Sequence, residues 1–289
     1  MVPPLQTAVG ITYIVTSSLF TPNYVRIICI FLKHKKYRSL ECYRIMIQMG
    51  IIQCAMAPGI FLEGVAQLVN VDFLHLGTFF IKAMIVGIRA EGIVGFALAL
   101  NRLKILLSLE YPSLVHTMIL VFAWLFYCVH YGLLLTPLAD FPVVPGVFIA
   151  MNDLTKPYSA LINQVGGLIY ESVLCLTLIV YLVIITFLVY TKLKSGLSKK
   201  FRNEFTILAY AGIRFLLDMG LSIVFHYVRL PQVSLTGFVV CTCYIINCFL
   251  VPPVLYLCLH RTLRREFFNM KEEVKLFTVT SMASQLAKR

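Results

Sequence analysis

Seven ionisable residues stand in stretches that are otherwise almost continuously apolar: Glu63, Lys82, Arg89, Glu91, Glu171, Arg214 and Asp218. In hydrocarbon a lone charge costs about 3 kcal/mol by insertion scales, so such residues turn to a bundle interior and pair. Their chemistry is therefore charge pairing and ligand contact. A helix rises about 1.5 Å per residue. Measured from Arg102, Arg89 lies about 20 Å and Glu91 about 16 Å along one helix. Measured from Glu204, Arg214 and Asp218 lie at about 15 and 21 Å along another. Depth thus matches Arg89 with Asp218 and Glu91 with Arg214. Residues two apart on a helix point about 200° apart, whereas 214 and 218 share a face, so only one cross-helix bond forms readily. Glu91–Arg214 is the favoured bond, and an Arg214–Asp218 pair within one helix is the alternative. Glu63 and Lys82 fall near the outer boundary, where they either pair across adjacent helices or border a ligand mouth.

Bond-making chemistry finds no such support. The chain has no His-Glu-x-x-His, Gly-x-Ser-x-Gly or Walker sequence. Its six histidines (34, 75, 116, 130, 226, 260) are scattered, and 234–259 lacks the lysine that a retinal Schiff base needs. Nor is there a filter-like loop or charged ring of a channel. Of nine cysteines, eight lie in apolar runs; the Cys241-Thr242-Cys243 pair is too close for ordinary metal ligation. We read the cysteines as small core residues. The expectation is a non-enzyme with neither cofactor nor metal.

The elements that must position these charges follow from composition. The chain has 289 residues, 60% hydrophobic and 13% charged, with mean hydropathy +0.86. Soluble domains run near 25% charged, so disorder, nucleic-acid modules and most soluble enzymes are excluded. A bilayer-crossing helix needs about 20 mostly apolar residues. Seven stretches qualify: 8–32, 44–69, 76–100, 114–136, 163–191, 205–228 and 234–259. The first is too long, and lacks the basic leader, for a cleaved signal peptide. Arg26 near its end can snorkel to the interface.

Charge orients the spans. The connections 33–44, 101–113 and 192–204 together with 260–289 carry 19 Lys and Arg, whereas the opposite set holds only Lys156 and Arg229. By the positive-inside rule the N-terminus is outside and the C-terminus cytoplasmic. The net charge of +12 is then a topology signal with membrane lipid as partner, not a nucleic-acid one. Four prolines (137, 142, 145, 157) keep the longest external connection, 137–162, extended. After the last span, Leu263, Phe267, Met270, Val274 and Phe277 recur at helical spacing among Arg264, Arg265, Lys271 and Lys275. This predicts an interfacial amphipathic helix over 262–277. The fold expected is an all-α membrane protein: a seven-helix bundle over 1–260, then an amphipathic helix and tail over 261–289.

Particular residues add a resemblance. The third span ends Ala99-Leu100-Asn101-Arg102, and the seventh ends Val251-Pro252-Pro253-Val254-Leu255-Tyr256 before Leu259-His260-Arg261-Thr262-Leu263-Arg264-Arg265. With Cys42-Tyr43-Arg44-Ile45-Met46-Ile47-Gln48-Met49-Gly50 opening the second span, the chain resembles the nematode serpentine receptor class T family. The resemblance spans essentially the whole chain. It implies a plasma-membrane chemoreceptor coupling an extracellular ligand to a heterotrimeric G protein. Asn101, Arg102, Pro252, Pro253 and Tyr256 would form the coupling and switch region; the charges Glu91, Arg214, Asp218 and Arg89, matched by depth above, are the candidate intramembrane polar network independently of the resemblance. Asn101 replaces the usual acidic neighbour of Arg102, so no Arg–carboxylate lock forms within that triplet. No cysteine lies in 76–107 or 137–162, so the usual external disulfide cannot form. A small transporter or channel, or a non-signalling scaffold, is the alternative class.

The charge asymmetry makes 192–204 cytoplasmic. In a cysteine-reduced background, an impermeant thiol reagent is expected to label Ser198→Cys only after permeabilisation. Rapid labelling on intact cells would invert the topology.

Overall fold

A computed structural model of the chain describes residues 3–148, 151–195, 199–228, 234–259 and 261–268. Among them every regular element is helical: α1 (Pro4–Lys33), α2 (Lys35–Arg38), α3 (Glu41–Val69), α4 (Leu76–Leu107), α5 (Leu114–Leu134), α6 (Ser159–Ser195), α7 (Lys199–Tyr227), α8 (Leu235–Phe249), α9 (Val251–Leu259) and α10 (Arg261–Phe268). Six stretches are long and apolar enough to cross a membrane: α1, α3, α4, α5, α6 and the α8–α9 pair. α7 fills the stretch predicted as the sixth of seven spans, so six of the seven carry that signature among the described residues.

Their outward faces agree with lipid contact. On α5, Met118, Val121 and Leu125 are 64%, 61% and 60% exposed, while the helix buries only His116, Ala123, His130 and Leu134. Water would penalise such an apolar exterior. This is a helical membrane protein.

α4 is the axis of the bundle, packing on α3, α5 and α6, while α1 lies along the far side of α3. The α1–α3 contact is close because both sides offer glycine. A Cβ on Gly10 would lie 2.8 Å from the Gly64 carbonyl oxygen, and one on Gly64 would lie 2.8 Å from that of Gly10. Lipid tails are as apolar as leucine, so close small-residue packing replaces the hydrophobic drive between helices. The last span breaks at Leu250, between α8 and α9. Pro252 and Pro253 have no backbone N–H, which an unbroken helix would require and the first turn of a new helix does not.

The loops divide between two ends, one carrying the basic connections and the other the proline-rich segment, described over 137–148 and 151–158. That segment is a strapped lid. Gln67 on α3 donates to the Val147 carbonyl at 2.7 Å and accepts from the Gly146 amide at 2.8 Å. Tyr13 donates to the Phe148 carbonyl at 3.2 Å, and Thr78 accepts from the Val143 amide at 3.0 Å. Phe148 is buried against Val9, Tyr13, Met56 and Phe249. All nine cysteines are free.

At the basic end, α10 departs from the sequence reading. Leu263 and Phe267 face protein, buried among Tyr24, Ile27, Phe31, Tyr37 and Tyr256, whereas the stripe suggested the headgroup boundary. The Arg26 guanidinium, assigned to snorkelling, sits 4.6 Å over the Phe267 ring. Tyr37 donates to Glu266 at 3.3 Å. Burial first, then the Glu266 carboxylate, push the Tyr37 phenol up to about 12, which keeps it a donor. The remainder of the predicted helix, with Met270, Val274 and Phe277, lies outside the described residues.

Phe267 is buried and its neighbour Phe268 is 70% exposed. Phe267→Ala is expected to cost about 3 kcal/mol and to free 261–268 for proteolysis; Phe268→Ala should stay within about 0.5 kcal/mol. Equal effects in a thermal-unfolding assay would show that α10 is not docked.

Candidate functional site

Polar side chains inside the bundle gather at three levels. The middle level joins α3, α4, α7 and α8. Glu91 on α4 accepts from Gln53 on α3 at 2.6 Å and forms an ion pair with Arg214 on α7. The Arg214 Nε lies 3.9 Å from an Asp218 oxygen, and Asn247 on α8 donates to the other. Met49 Sδ approaches Arg214 Nη1 at 3.4 Å. Glu91 has a side-chain exposure of 8% and Arg214 of 13%. The two arrangements set against each other in the sequence therefore coexist. Glu91 takes the Nη2 side of the guanidinium while Asp218, one turn along α7, flanks its Nε. One cation serves two carboxylates, which makes Arg214 the hub.

The lid end carries Arg89, Lys82 and Glu63, and here the sequence expectations change. Arg89 does not meet Asp218. Its guanidinium donates to His130 Nε2 at 3.0 Å and to the backbone and side-chain oxygens of Asn163. Gly166 leaves room for this: a Cβ there would press into both His130 and Arg89. Because arginine only donates, His130 must accept with a neutral ring. Lys82 does not meet Glu63 either. It pairs with Asp140 of the lid at 2.7 Å. Glu63, 95% buried by the complement of its 5% exposure, lines a cavity with Arg89, Ile81, Met84, Tyr170 and Tyr244. Glu171 is half-buried on α6.

At the basic end, Arg102 is half-buried beside a surface cavity lined by Glu41, Tyr43, Met46, Asn101 and Ile105. No hydrogen bond or ion pair reaches it among the described residues. The acid of that cavity is engaged elsewhere. Glu41 accepts from Asn101 at 3.2 Å, from Lys104 at 3.5 Å and meets His116 Nδ1 at 2.9 Å. Tyr111 completes the group, 3.1 Å from His116 Nε2 and 3.1 Å from the Leu100 carbonyl. Pro252 and Pro253 start α9, and Tyr256 is buried with its ring 6.3 Å from Tyr24 and 6.0 Å from Phe31.

Gln53, Asn247, Asn163, Asp140 and Glu41 are absent from the sequence reading, and His130 enters it only as one of six scattered histidines. Gln53 and Asn247 are visible there as amides inside apolar runs. Glu41 is the only acid of the basic stretch 33–44. Asp140 offers no signal, since the course of its loop is a tertiary matter. Among the described residues no group of three His, Cys, Asp or Glu side chains is placed to hold a metal. No model of a known protein family matches the chain. No curated protein matches it at a significant level.

Removing one partner of a buried ion pair strands the other, at about 3–5 kcal/mol. Glu91→Gln leaves Arg214 with Asp218, whereas Arg214→Gln leaves two buried acids without a cation. Arg214→Gln is therefore expected to be the more damaging in thermal unfolding, and the double variant less damaging than the two losses summed. A double-mutant cycle without coupling between 91 and 214 would dissolve the pair.

Proposed function

We propose that the protein is a seven-transmembrane, G-protein-coupled receptor resembling the nematode serpentine receptor class T family, with α7 as its sixth span. In this reading the N-terminus and the lid are extracellular, the basic end is cytoplasmic, and the chain resides in the plasma membrane. An external ligand shifts an inactive–active equilibrium, and the active state triggers nucleotide exchange in a heterotrimeric G protein without catalysing chemistry itself.

One observation supports the reading: α7 is held to the bundle core by Arg214–Glu91, while Arg102, with no hydrogen bond or ion pair among the described residues, stands at the basic end of α4. Release of the pair lets α7 swing outward. The opened mouth then admits a G-protein helix, whose C-terminal carbonyls accept from the Arg102 guanidinium. The magnitudes suit a switch. Moving a population from 1:99 to 99:1 takes about 5.5 kcal/mol, and a stranded buried charge is worth about 3–5 kcal/mol. Losing this one tether supplies most of the change. Pro252, Pro253 and Tyr256 stand at the break and packing of the last span, beside the path that α7 would take.

Expressed with G protein, Arg102→Ala is expected to abolish nucleotide exchange at equal surface expression, and Glu91→Gln to raise basal exchange. Exchange unchanged in Arg102→Ala would overturn the reading. Solute flux in proteoliposomes without exchange would select the transporter class instead.

A further inference from the structure

The lid-end cavity between α3, α4, α6, α7 and α8 is lined by two buried ionisable groups of opposite type, neither with a charged partner among the described residues. Glu63 is buried at 5% exposure, and no hydrogen bond or ion pair reaches its carboxylate among the described residues. Arg89, also 5% exposed, has only neutral partners, His130 and Asn163. Both side chains line the same cavity, yet they form no ion pair with each other. The two partners that helix depth suggested for them are committed elsewhere: Lys82 to Asp140 of the lid, and Asp218 to Arg214 and Asn247. The remaining wall is apolar and aromatic, with Ile81, Met84, Tyr170, Phe225 and Tyr244.

An uncompensated charge at this depth favours whatever ligand brings its counter-charge. A neutral ligand leaves both groups bare. An amine answers only Glu63, a carboxylate only Arg89, and either carries net charge into the bilayer. A molecule with an ammonium at one end and a carboxylate at the other answers both and enters without net charge. The guanidinium has five N–H donors, so its bonds to His130 and Asn163 leave donors for a carboxylate. The rings of Tyr170, Phe225 and Tyr244 add faces for the ammonium. The cavity offers about 70 Å³ to water-sized centres, room for about five waters, so the ligand is small.

We infer that this cavity binds a small zwitterion, an amino acid or related amino-carboxylate, with its ammonium on Glu63 and its carboxylate on Arg89. The inference rests on the receptor reading only in making this the ligand that switches the protein.

The test uses the full chain in nanodiscs of phosphatidylglycerol, a lipid with no ammonium headgroup. Calorimetry compares glycine, β-alanine, γ-aminobutyrate and ε-aminocaproate with n-butylamine and butyrate. One chain length of amino-carboxylate is expected to bind at least about tenfold more tightly than the single-ended compounds. Glu63→Gln should reduce that ligand to the affinity of butyrate, and Arg89→Gln to that of butylamine. The wild-type series decides even if a variant fails to fold. Equal binding of single-ended compounds, or no amino-carboxylate binding, would overturn the inference. Nucleotide exchange measured on the same samples separates the two readings. Binding without exchange leaves the zwitterion site standing and removes the receptor; exchange without amino-carboxylate binding does the reverse.

Discussion

A membrane offers a buried charge no solvent, so each polar group must be answered from within the bundle or from a ligand. Arg214 is where this constraint binds hardest. It lies at mid-depth with Glu91 on α4 and Asp218 one turn along its own helix. Gln53 shares the Glu91 oxygen that pairs with Arg214, and Asn247 takes the other Asp218 oxygen, which draws α3 and α8 into the same knot. Four helices are thus positioned by one guanidinium. Buried pairs add little net stability against an apolar alternative. What the arrangement supplies is a register: α7 seats correctly only where its cation meets the acid of α4.

The ends of the bundle are organised differently. At the basic end the polar groups cluster around Glu41, and Arg102 has no partner in that cluster among the described residues. Aromatic packing does the remaining work there, as Tyr24, Phe31, Tyr37 and Tyr256 enclose Leu263 and Phe267 of α10. At the other end the satisfied groups belong to the lid, and Glu63 and Arg89 are left over inside the cavity. Ionisable groups without a charged partner among the described residues therefore sit at the two places where the receptor reading puts ligand and G protein, with the Arg214 knot between them.

The legible part of this architecture is what distance along a helix can encode. Apolar run lengths locate the long helices, and helix rise turns residue numbers into depth, which brings Glu91 opposite Arg214. The same arithmetic passes over Gln53 and Asn247, because it matches formal charges alone. It also fails wherever a loop supplies the partner. Lys82 is at a suitable depth for Glu63, but Asp140 arrives from a segment without periodicity and takes it at 2.7 Å. The stripe of α10 shows a third limit. An apolar face records that something apolar covers it, and lipid and a neighbouring helix are equal in that respect.

The lid has one further consequence. Its attachment is amide, hydroxyl and carboxylate chemistry, with every cysteine left as a thiol. Closing it needs no oxidant and no isomerase, so its formation is independent of the redox state of the compartment in which the chain folds. A disulfide rearranges over minutes to hours, whereas non-covalent lids open and close within microseconds to seconds. A covalent staple would make access to the cavity a fixed property of the mature protein. Here each strap is a separate, reversible contribution, and access becomes an equilibrium that temperature, ionic strength and single side chains can set by degrees.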